Sequence, residues 1–175
     1  TPQDGAVTDA TQARLCALLA RAAGSTGMAG GQAIDLASVG LALTESQLRD
    51  MHQRKTGALL LASVVMGAAC AGATASALAA LQTYGGAIGL AFQVVDDILD
   101  VTADSATLGK TAGKDADANK PTYVSLMGLQ ASQDYARTLL AQALGALDRL
   151  EADCAGAFRA DALRALARMV VHRAS

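Results

Sequence analysis

The chain has 175 residues, enough for one domain with a sizeable core. Hydrophobic residues make up 52%, charged residues 17% and aromatics 3%, so the interior is built from Ala, Leu, Val and Gly, which favours closely packed helices over a sandwich of strands. A formal charge of -2 gives no basic face for nucleic acid. Cys16, Cys70 and Cys154 are odd in number and widely spaced, against a disulfide framework or zinc site, and read as reduced thiols in a cytosolic core.

The sequence begins Thr1-Pro2-Gln3 with no basic-then-apolar leader, which reads as a piece of a longer protein. After a loop over residues 1–7, Asp9 with Gln12 predicts a helix start, and Leu15, Leu18, Leu19 and Ala22 form its apolar face up to Gly24-Ser25-Thr26-Gly27. A Gly-rich helix is predicted over residues 28–39. Its Gly30-Gly31 pair lets a neighbouring backbone approach, and Gln32 and Asp35 share a face; Asp35 either lines something or faces water. Thr44 with Gln47 opens the next helix, through Leu48, Met51 and Lys55, with Asp50 and Arg54 as an ordinary surface pair. Lys55 and Thr56 are the last polar groups before a long apolar run. By spacing alone, Lys55 is more readily the last exposed residue of an emerging helix than a ligand-binding group. His52 and His172 are read as surface or partly packed histidines.

Residues 56–95 contain no Asp, Glu, Lys or Arg. That length would hold two membrane spans, but Ala, Gly, Ser and Thr predominate and Gln82 and Gln93 interrupt it, so it reads as two helices buried on all sides of a soluble protein, with a break near Cys70 to Thr74. The second carries Leu78, Leu81, Ile88, Phe92 and Val95. Its Gly85, Gly86 and Gly89 call for close packing or a ligand cavity, and Gln93 directs its amide towards Asp96 and Asp97.

Three of the next five residues are Asp96, Asp97 and Asp100. On a helix, Asp96 and Asp100 stack while Asp97 lies about 100° round the axis, giving a compact acidic patch. Such a patch suits a hard divalent cation; the plainer reading is a solvated helix end. Residues 102–119 form a long loop with Lys110 and Lys114, followed by Lys120. These lysines either neutralise the acids or join a metal in gripping one polyanion. Pro121-Thr122-Tyr123 starts a new helix, with Pro in its first turn. Two amphipathic stripes follow, Tyr135, Leu139, Leu140, Ala143, Leu144, Leu147 and Leu150, then Leu163, Leu166, Ala167, Val170 and Val171, with no chemistry assigned.

Five stretches occur in an order that resembles a known family: Gly30-Gly31-Gln32-Ala33-Ile34-Asp35-Leu36; His52-Gln53-Arg54-Lys55-Thr56-Gly57; Gly89-Leu90-Ala91-Phe92-Gln93 through Asp100; Leu108-Gly109-Lys110 with Gly113-Lys114-Asp115; and Lys120-Pro121-Thr122-Tyr123. Across almost its whole length the chain resembles the C-terminal part of trans-isoprenyl diphosphate synthases, on the side of the bacterial farnesyl diphosphate synthases. Val124 departs from the pattern, where a proline often follows the Thr-Tyr pair.

The resemblance implies an all-α fold of long antiparallel helices around a central cavity, with residues 1–175 as the C-terminal portion of one bundle. It implies a cytoplasmic prenyltransferase, commonly a homodimer, that joins an allylic diphosphate (dimethylallyl or geranyl) to isopentenyl diphosphate head to tail, with Mg2+ or Mn2+. Asp96, Asp97 and Asp100 match metal-binding positions; Lys55, Lys110 and Lys120 match residues on the diphosphate. Thr56 and Gln93 match polar groups beside the allylic cation, and Gln32, Asp35 and Phe92 match cavity-lining positions. A first aspartate-rich motif is expected upstream of Thr1, so this stretch alone is expected to be inactive unless paired with an N-terminal half. A class I terpene cyclase and a non-catalytic synthase subunit are the competing expectations.

Overall fold

The computed structural model describes residues 7–102, 121–154 and 158–173, and these form helices with no strand among them. The first, α1, is Asp9–Ala23; Thr8 caps it by accepting the Thr11 N–H at 3.2 Å, and Gln12 donates its amide to the Val7 carbonyl at 3.2 Å. The cap falls one residue before the predicted Asp9, which sits in the first turn where its charge complements the helix dipole. The predicted apolar face is largely open among the described residues: Ala22 is buried, but Leu15 and Leu18 are half-buried and Leu19 is 48% exposed.

Helix α2 is Met28–Ala37, closed by the Ser38 hydroxyl donating to the Ile34 carbonyl at 2.7 Å. The capping box of Thr44 and Gln47 forms as predicted and opens α3, Glu45–His52. That helix runs without a break through a π-helical turn, Gln53–Gly57, into α4, Ala58–Cys70. A π turn holds an extra residue, so side chains beyond it are rotated relative to a continuous α-helix. Asp50 and Arg54 form the predicted surface pair at 2.9 Å.

After a turn with Gly72 at φ +65°, α5 runs from Ala75 to Thr102. It is the central helix, buried along most of its length, and packs side by side with α7. By length and composition it could cross a membrane, but 61% of its most apolar stretch is buried in the structure. The expectation for α4 requires correction. Leu59, Leu60 and Leu61 are only half-buried, because among the described residues α4 packs chiefly on α5 and α1 and leaves one side uncovered.

Helix α6, Tyr123–Met127, is capped by Thr122, so Pro121 lies before the cap rather than in the first turn. Gly128, at φ +85°, turns the chain into α7, Leu129–Asp153, and α8 is Asp161–His172. Alanines at 143 and 146 face α5 beside Leu139, Leu147 and Leu150, letting the two long helices approach closely. Glu151 joins α7 to α8 by accepting the Ala160 N–H and an Arg164 N–H, both at 2.7 Å. Both hydrogen bonds hold its carboxyl below the usual range. The thiols are free, but Cys16 and Cys70 are exposed rather than in the core.

Candidate functional site

The site grows from two places where backbone meets backbone. At the first, Gly31 of α2 lies so close to the π turn that a Cβ there would stand 2.2 Å from the Lys55 backbone nitrogen. Asp35, one helical turn further on, consequently meets Lys55: Nζ to Oδ2 is 2.7 Å, with Asp35 6% exposed and the Lys55 side chain 30% exposed. Asp35 therefore does not face water, and Lys55 is a held cation rather than a free surface lysine. Gln32 remains exposed.

The second contact is between Gly89 of α5 and Gly57, where a Cβ on residue 89 would lie 2.8 Å from the Gly57 Cα. This approach brings the Thr56 hydroxyl to Gln93, and it donates to Oε1. Gln93 is 8% exposed. Its amide carbonyl is thus engaged across the helix pair. The glycines at 31 and 89 serve close packing, which seats Lys55 and Thr56 beside α5.

The acids do not form the predicted three-carboxylate patch. Asp96 has an exposed side chain (59%) and Asp100 is half-buried, but Asp97 is 5% exposed and accepts the Tyr123 N–H on Oδ2 at 2.7 Å. The 100° step from residue 96 to 97 carries Asp97 onto the face where Val94 and Ile98 are buried. Among the described residues, no three His, Cys, Asp or Glu side chains gather into a group that could hold a metal. Asp96 and Asp100, one turn apart, still supply two hard oxygen donors. That set fits Mg2+, which binds through one or two carboxylates and takes its other ligands from water and substrate phosphates.

Two neighbours escaped the sequence reading. The Arg173 guanidinium, just past α8, sits 4.0 Å from the centre of the Phe92 ring, donates to the Phe92 carbonyl at 2.8 Å and comes within 3.7 Å of Asp96 Oδ1. Phe92 is half-buried beneath it. A basic residue at the end of an amphipathic stripe was the available signal, but 77 residues separate Arg173 from Asp96 and no local pattern joins them. Lys110 and Lys120 lie outside the described residues.

The second neighbour is His52, which is 5% exposed, deeper than the surface or partly packed position expected. Its ring stacks on Tyr123 with centroids 5.8 Å apart, and among the described residues neither ring nitrogen has a hydrogen-bond partner. Burial, and then the Lys55 charge, lower its pKa from 6.5 to about 4, with Asp35 opposing. The unfolded chain therefore binds the proton first. Stability tied to neutral His52 is fully present above pH 6.5 and is lost as the pH falls towards about 4. Urea unfolding should show parent protein losing about 2 kcal/mol more than His52→Phe between about pH 7.5 and about pH 5. Equal losses would mean that the buried histidine is not the source.

Residues 6–160 match the sequence profile of the polyprenyl synthetase family. The chain is 54% identical over 129 residues to a protein of Sinorhizobium fredii named "Probable farnesyl diphosphate synthase", covering 71% of this chain and 39% of that one. It is 42% identical over 168 residues to farnesyl diphosphate synthase of Escherichia coli, covering 95% and 55%. A crystal structure of a Helicobacter pylori geranyltransferase, complexed with magnesium and isoprenyl diphosphate, superposes with a TM-score of 0.75 at 32% identity, over 97% of this chain and 54% of that one. The chain thus spans between 39% and 55% of the length of these relatives.

Proposed function

The chain belongs to the polyprenyl synthetase family, and from that premise we propose that it forms the diphosphate-binding side of a Mg2+-dependent trans-prenyltransferase making farnesyl diphosphate or a similar short-chain product. The observation that carries this reading is the seating of α2 and α5 on the π turn. It sets a held lysine, Lys55, and Thr56, paired with Gln93, beside the helix that carries Asp96 and Asp100. In this reading the substrates are an allylic diphosphate and isopentenyl diphosphate, Lys110 and Lys120 add cations on the diphosphate side, and the protein is a cytoplasmic homodimer.

The chemistry suits these groups. The allylic carbon–oxygen bond breaks, leaving a carbocation and a diphosphate; the isopentenyl double bond attacks to form the new carbon–carbon bond, and a proton leaves from the adjacent carbon to the departing diphosphate. Magnesium, when bound by Asp96 and Asp100, neutralises charge on the diphosphate oxygens. Lys55 donates to the same oxygens, and its ion pair with Asp35 fixes the ammonium before substrate arrives. Thr56 and Gln93 offer oxygen dipoles to the cation, while apolar walls exclude water.

The test is the intact protein with Mg2+, geranyl diphosphate and labelled isopentenyl diphosphate. Labelled farnesyl diphosphate is expected. A cyclic hydrocarbon formed without isopentenyl diphosphate would replace the reading with a class I terpene cyclase. Turnover that appears only with a co-purified longer homologue would make the protein a non-catalytic subunit. The same assay on the 175-residue polypeptide alone is expected to give no product, because the chain spans only 39% to 55% of the length of its relatives and the resemblance implies a second aspartate-rich motif outside it.

A further inference from the structure

We propose that Asp97 is not a third metal ligand but the positioning residue that sets where Asp96 and Asp100 point, by holding the backbone N–H of Tyr123. The inference rests on the metal reading for Asp96 and Asp100 given above. A carboxylate 5% exposed is costly to leave without hydrogen bonds, and the Tyr123 N–H at 2.7 Å meets that need. Tyr123 is a firm anchor. It is 0% exposed, its ring stacks on His52 and leans on Tyr135 with centroids 5.6 Å apart, and Thr122 and Ser125 brace its helix in a reciprocal capping box.

Asp97 lies between Asp96 and Asp100 on one rigid helix. Any rotation of α5 that lengthens the Asp97–Tyr123 hydrogen bond swings both outer carboxylates in the same sense, so this bond acts as a rotational stop. His52 carries the same anchor back to the turn that bears Lys55. One buried tyrosine therefore ties the lysine side of the site to the carboxylate side.

The experiment is Mn2+ binding, read by electron paramagnetic resonance in the presence of inorganic diphosphate, on the intact parent protein and on D96N, D97A and D97N, well below each melting temperature. D97A is expected to bind Mn2+ about 10- to 100-fold more weakly, the usual effect of removing a group that orients a ligand. D97N keeps an oxygen that can accept from Tyr123 and is expected to stay within about threefold of the parent. If D97N loses as much affinity as D96N, Asp97 is a ligand and the inference falls. If D97A melts earlier but binds Mn2+ like the parent, Asp97 serves packing alone and the inference falls as well. Should D97A fold poorly, D97N decides between the two roles. D96N without any effect would overturn the metal reading itself, and this inference with it.

Discussion

Replacing Asp96 with alanine in the intact protein is expected to lower turnover by about a hundredfold to a thousandfold, the range found when one preorganised charge-stabilising group is removed. The fold should barely notice. The Asp96 side chain is 59% exposed, and among the described residues its ion-pair partner is Arg173 at 3.7 Å, a solvent-screened pair of the kind that contributes little. Arg173 also keeps its hydrogen bond to the Phe92 carbonyl and its place over the Phe92 ring. Stability should therefore stay within about 0.5 kcal/mol of the parent. Steady-state kinetics beside thermal melting check both halves; an unchanged rate removes Asp96 from the metal site.

A large loss of stability is expected when Gly31 is replaced by alanine. An alanine there would put its Cβ 2.2 Å from the Lys55 nitrogen and 2.6 Å from the Lys55 Cα. Both are backbone atoms, so no rotamer change relieves the clash, and α2 must lift away from the π turn. That movement also separates Asp35 from Lys55 and leaves a buried carboxylate without its partner. Gly31→Ala should cost about 3 kcal/mol, the upper end of overpacking effects, lowering the melting temperature by about 6–12 °C. Gly67→Ala is the control. It lies inside α4, an added Cβ meets nothing within 4 Å, and the change should stabilise by about 0.4–1 kcal/mol. Comparable melting shifts in the two variants would refute the account of Gly31.

Much of this was legible because it is written locally. The Thr44–Gln47 capping box, the break around Gly72 and the apolar repeat that becomes α7 depend on residues within one or two turns of each other. The motifs that carry the family resemblance are likewise contiguous. What was misread depended on neighbours distant in the chain. Lys55 looked like a solvated helix end because its partner, Asp35, is 20 residues away. The π turn that presents it leaves no mark in hydrophobic spacing. His52 looked like a surface or partly packed residue because nothing near it announces the Tyr123 ring.

The aspartate-rich stretch divides the two kinds of knowledge. By itself the sequence determined that three acids end a long apolar helix, and that Asp96 and Asp100 share a face, since both follow from 3.6 residues per turn. Which way that helix is turned is not a local property. It was decided by tertiary packing, with Val94 and Ile98 buried on one side and the Tyr123 N–H waiting for an acceptor. Burial of an apolar face is worth more than the exposure of one carboxylate, so α5 settles with Asp97 inward and hydrogen-bonded and leaves Asp96 exposed and Asp100 half-buried.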